Sequence, residues 1–124
     1  LADVKAEHAA GRPLQGRHTI WEIVLHVAAW EEVVRRRLQG ETIKGLTPIE
    51  DWPPAQDTSE AAWRKAVSDL EGVNGRLVEA VSRFGDSRLG EAVPGTSYSF
   101  YTMLHGIIQH DLYHAGQIAI LKKK

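Results

Sequence analysis

His110 and His114 stand one helical turn apart in the run His110-Asp111-Leu112-Tyr113-His114. On an α-helix, positions i and i+4 share a face, so both imidazoles can address one point. Neutral imidazole is the commonest side-chain metal ligand, and two on one turn make half a site. His26, inside an earlier apolar stretch, is the best candidate for a third ligand. Three nitrogen ligands leave at least one position open, the pattern of a catalytic rather than a closed structural centre. A divalent ion held this way could acidify a bound water or thiol, or polarise a carbonyl. Zinc, nickel and iron(II) all accept such ligands, and ligand type alone does not choose among them.

Three further residues belong to the same neighbourhood. Trp30 lies one turn past His26 and could wall a pocket beside it. Gln117 follows His114 by three residues on the same side, and Asp111 could orient a histidine from behind. Glu22 could do the same for His26. Plainer readings compete: a helical pair arises easily by chance in a chain with six histidines, and an interior histidine is commonly a hydrogen-bonded core residue. His105 is rotated about 140° from His110 and about 180° from His114, so it does not share their face. His8 and His18 fall in loop-like sequence and receive no role.

The elements that must position these groups are helices. Thr19 and Glu22 form a capping-box pair at the start of a helix that should run to about Leu38, with Gly40 as its stop. Ile23, Val27, Trp30 and Val34 make its apolar stripe. Arg35, Arg36 and Arg37 cluster at its end, where positive charge complements the helix dipole; this reads as a solvated terminus. Residues 40–56 read as a long loop that Trp52 packs onto the bundle. Asp57 with Glu60 suggests the next helix start, and Trp63, Val67, Leu70, Asn74, Leu77, Val81 and Phe84 follow an a/d spacing up to Gly85. After a Gly- and Pro-rich connector, Ser97 or Ser99 caps a last helix ending near Leu121. That helix is apolar on several sides and is expected in the middle of an assembly. Ala6–Ala10 offers one short helical turn, ended by Gly11 and Pro13.

The 124 residues suffice for a single domain, and no internal boundary is visible. With no cysteine, disulfide frameworks, cysteine-ligated zinc and cysteine nucleophiles are excluded. A formal net charge of -1 gives no electrostatic footprint for nucleic acid or an anionic membrane. No apolar run is long enough to span a bilayer. The lack of cysteine fits a cytoplasmic protein. No serine elbow, phosphate loop, Rossmann fingerprint or zincin motif occurs.

Two stretches carry a family resemblance. Residues 106–118, from Gly106 through His110 and His114 to Ile118, resemble the C-terminal signature of the DinB-like metal-binding four-helix bundles. Residues 18–31 resemble their second helix, and the Asp51-Trp52-Pro53 loop followed by Trp63 also matches. The resemblance implies an all-α, up-down bundle over residues 1–124. In it, His26, His110 and His114 would bind one divalent metal: nickel, zinc or iron. It implies a hydrolase or a transferase using a low-molecular-weight thiol, a small-molecule substrate and a homodimer. The family bundle begins with a helix ahead of the segment matching residues 1–18, which this chain does not display. A segment preceding Leu1 or a partner subunit is expected to cover the face so left. The alternative is a non-catalytic metal- or ligand-binding bundle, and beyond it a metal-free domain with packed histidines.

Overall fold

A computed structural model describes residues 1–12 and 14–124. It contains five α-helices: α1 (Ala6–Ala10), α2 (Ile20–Leu38), α3 (Pro48–Asp51), α4 (Glu60–Arg83) and α5 (Phe100–Leu121). A single 3-10 turn, Asp86–Arg88, interrupts the last connector. The fold is an all-α bundle, and among the described residues no helix is long and apolar enough to cross a membrane. Pro13, read as helping to end α1, lies outside the described residues; Gly11 closes the helix.

The caps explain where the helices begin. Thr19 Oγ1 accepts from the Glu22 N–H and Glu22 Oε1 accepts from the Thr19 N–H, at 3.0 and 2.8 Å. That carboxylate therefore serves the helix start rather than His26, about one turn away. Ser59, not Asp57, caps α4 by accepting from the Ala62 N–H, and Asp57 instead accepts from the Ser59 N–H. Ser99 caps α5. The sequence reading of 40–56 as plain loop is corrected by α3. Thr47-Pro48-Ile49-Glu50 repeats the capping box of α2, with proline at the first helical position where its missing N–H costs nothing.

Two apolar clusters fix the packing. In the first, Ile20, Trp21, Ile23, Val24 and Val27 meet Trp63, Ala66 and Val67, with Ala6 and Ala9 on one side and Leu121 closing the end. In the second, Val34 and Leu38 meet Leu77, Phe100, Met103 and Val93. Each fully buried large apolar side chain contributes on the order of 1.5–3 kcal/mol. The pairing also gives the directions. The start of α2 meets the start of α4, so these two helices run parallel. The start of α2 meets the end of α5, so those two run antiparallel.

Parallel neighbours cannot be joined by a tight turn. The chain leaves Leu38 at one end of the bundle and re-enters at Glu60 at the other, about 28 Å away along the nineteen residues of α2. Residues 39–59 make that return, and α3 sits on the way, packed on α2. The crossover is what delivers Asp51 and Trp52 to the middle of α2.

The helix at the centre is α2, which packs against α1, α3, α4 and α5. The sequence expectation of a central α5 is therefore corrected for the single chain. Its outward residues Ile108, Leu112 and Ile120 are exposed, Leu112 by 68 %.

Candidate metal centre

α2 brings His26, and α5 brings His110 and His114, to the seam between the two helices. One ring nitrogen of each lies within 4.8 Å of the others. His26 and His114 are 6 % and 5 % exposed, and His110 is half-buried at the mouth. The other ring nitrogen of each is already engaged. His26 Nδ1 is 2.6 Å from the Asp51 carbonyl oxygen and 3.1 Å from Asp51 Oδ1. His110 Nδ1 is 3.1 Å from Asp111 Oδ1, and His114 Nδ1 is 2.6 Å from Gln117 Oε1.

These partners are all acceptors, so all three Nδ1 atoms carry the proton and donate it. The Nε2 atoms are then lone-pair acceptors. His26 Nε2 and His110 Nε2 are 3.0 Å apart. Two acceptors cannot satisfy one another at that distance; a cation between them can. Two nitrogens each about 2.1 Å from one ion, at tetrahedral to right angles, are separated by roughly 3.0–3.4 Å. The residues present therefore fit a divalent metal by distance, by tautomer and by ligand type.

The electrostatics agree. Burial holds the pKa of His26, His110 and His114 below the ordinary histidine value; for His26 this outweighs the opposing hydrogen bond to Asp51. All three are neutral at pH 7, the state a metal requires.

Residues from outside the two helices complete the setting. Trp52 is sandwiched between His18 and His26, its ring stacked at 3.6 and 3.7 Å and within 6° of parallel to both. Asp51 Oδ1 also accepts from Trp30 Nε1 at 2.6 Å, tying the α3 corner to α2. Trp30 lines a cavity of about 470 Å³ that opens beside His26 and His110. Behind the site, Glu31 is 3 % exposed and receives a hydrogen bond from Asn74 of α4 at 3.1 Å. Burial, and then a hydrogen bond with Asp111, push Glu31 up to about 7; burial raises Asp111 as well.

Among these, Trp30, Asp111 and Gln117 were singled out in the sequence, and each touches the histidine neighbourhood. Asp51, Trp52, His18 and Glu31 were not assigned to the site. His105 lies away from it, against Tyr101. His8 belongs to α1 rather than a loop, with Nε2 3.2 Å from the Leu121 carbonyl.

A family model of the DinB superfamily matches residues 1–118. The chain belongs to the DinB superfamily. No curated protein and no solved structure matches this DinB chain. The three-histidine cluster lies within the residues that the family model matches.

Proposed function

We propose that this DinB-superfamily chain is a divalent-metal-dependent enzyme, a hydrolase or a transferase using a low-molecular-weight thiol. His26, His110 and His114 would hold one nickel, zinc or iron(II) ion. The observation that carries this reading is the convergence of three Nε2 lone pairs whose Nδ1 protons are all spent on acceptors. When bound, the ion would supply Lewis acidity, lowering the pKa of a coordinated thiol or water and polarising an electrophile.

The chain's own residues set the rest. Asp51, Asp111 and Gln117 fix the tautomer and ring orientation of the three histidines. Trp52 covers the face of His26. Trp30 walls the cavity in which a small substrate would sit. Asp51 Oδ1 is shared between His26 and Trp30 and so acts as an orienting group rather than a free base.

The test is spectroscopic. Cobalt(II)-loaded protein should show a new thiolate charge-transfer band on addition of free cysteine. A metal-loaded protein whose spectrum ignores thiols, halides and azide alike would have a filled shell and a non-catalytic role.

We also propose a homodimer, since α5 leaves Ile108, Leu112 and Ile120 exposed on its outer face. Light scattering at micromolar concentration should give twice the 13.8 kDa chain mass, and Leu112→Glu should shift it toward the monomer. A cytoplasmic setting accords with the cysteine-free sequence.

A further inference from the structure

Arg37 ends the same face of α2 that begins with His26. Eleven residues at about 100° each return nearly to the starting azimuth, and His26, Trp30, Val34 and Arg37 all line one cavity. Across it, α5 contributes Met103, Ile107 and His110. The cavity is thus a cleft between α2 and α5, with histidines at one end and Arg37 at the other. The two ends are about 16 Å apart measured along α2.

Arg37 is 3 % exposed. Its Nε donates to the Ile43 carbonyl at 2.9 Å and its Nη1 to Tyr98 Oη at 2.8 Å, and Nη2 shares the same carbonyl. These acceptors are neutral. Among the described residues no carboxylate lies within ion-pair distance of it, whereas Arg35 and Arg36 pair with Glu32 and Glu41. A buried charge without a counter-ion is costly, and such charges are ordinarily paired. Of the five guanidinium N–H groups, three are used, leaving one on each terminal nitrogen.

The arginine is held in place by construction. Gly95, at φ +80°, lets the connector before α5 approach the loop after α2; a Cβ there would come within 2.8 Å of Thr42 Cγ2. This contact joins the loop bearing Ile43 to the connector bearing Tyr98, the two segments that grip Arg37.

We propose that Arg37 is the anion-binding end of a substrate cleft, and that the ligand is an elongated monocarboxylate. Its carboxylate would take the guanidinium, its apolar body would lie between Trp30, Val34, Met103 and Ile107, and its far end would reach the histidines. A single cation, bonded to the Tyr98 hydroxyl and without a second basic residue lining the cavity apart from the histidines, matches one negative charge, and so a carboxylate rather than a phosphate dianion. The fate of the far end rests on the metal-centre reading above; the binding of the carboxylate does not.

The experiment compares decanoate with decanamide, by calorimetric titration of metal-stripped protein. Decanoate should bind roughly 10–100-fold more tightly, as expected for a charge-assisted hydrogen-bond pair. In Arg37→Met the ratio should fall to about one. Arg37→Gln, which can still donate to the Ile43 carbonyl without charge, should behave the same way and serves if the methionine variant does not fold. Equal binding of the two ligands by the unaltered protein overturns the proposal, whatever the variants do. So does a preference that survives both substitutions. A preference seen only after metal loading would place the carboxylate on the ion and sink the Arg37 assignment while leaving the metal centre. Persistence of the preference in protein that never retains metal would do the reverse.

Discussion

α2 meets α4 on one face and α5 on another, and the two seams are built on opposite terms. Toward α4 the contacts are chiefly apolar, Ile23, Val24 and Val27 against Trp63, Ala66 and Val67, with the Glu31–Asn74 hydrogen bond as a buried polar exception. The one polar atom buried there on Trp63, its Nε1, donates to the Val4 carbonyl at 2.7 Å. Toward α5 the same helix presents one imidazole, an indole and a guanidinium around open space. The first seam is packed along its length, whereas the second is packed at its ends and open between them. The open cleft is tolerated because an apolar cluster closes each end of the bundle. The lesson is that function here lies on the face α2 does not use for its main packing.

The sharpest way to break that contrast is to act on one seam only. His110→Ala should abolish stoichiometric metal retention, read by elemental analysis after dialysis. The metal-free melting temperature should move little, because His110 is only half-buried. Retention of a full equivalent would contradict the assignment. Trp63→Ala acts on the other seam and should cost about 3–5 kcal/mol in urea unfolding of metal-free protein. The fraction that stays folded should still take up metal with the original stoichiometry.

Smaller effects sharpen the picture within the α5 seam. Asp51→Ala removes the carboxylate behind His26 but leaves the Asp51 carbonyl oxygen at 2.6 Å. Metal affinity should therefore fall by about tenfold, the lower end of what losing such a partner costs, in competition titrations against a chelator.

A separate effect concerns pH. Glu31 has a folded pKa of about 7 against 4.5 for an ordinary glutamate, so the fold prefers its protonated form. Its contribution is complete below pH 4.5 and is lost as pH rises toward 7. The three histidines run the other way: their lowered values cost stability as pH falls below 6.5, where the unfolded chain takes up protons. Glu31→Gln isolates the first contribution. The advantage of the variant over the parent, from metal-free denaturation, should grow between pH 5 and pH 8; a difference flat in pH would refute it.

What could be read from the sequence was whatever repeats with helical period. The His110–His114 pair, the stripe of α2, the Thr19 capping box and the ends of α2 and α5 are local patterns, and local patterns survive into the fold. Asp51 was hidden because it reaches His26 only after the chain leaves α2 at Leu38 and turns back, by a crossover whose path depends on α2 and α4 being parallel. The single turn of α3 did have a signal, since Thr47 to Glu50 repeats the spacing of Thr19 to Glu22. Arg37 had one too. Three consecutive arginines at a helix end read as a solvated terminus, and for Arg35 and Arg36 that is how they sit, paired at the surface. Arg37 is buried instead, and its phase, three turns beyond His26, was the clue. α5 misled in the other direction: apolar composition suggested a central position, but the chain places α2 there.

The central claim is that three imidazoles bind one ion and leave it accessible. X-ray absorption on zinc-reconstituted protein addresses it directly. The account predicts three imidazole nitrogens at about 2.0–2.1 Å together with at least one exchangeable light-atom ligand. Failure to retain zinc, or a shell with fewer than three imidazoles, would contradict it.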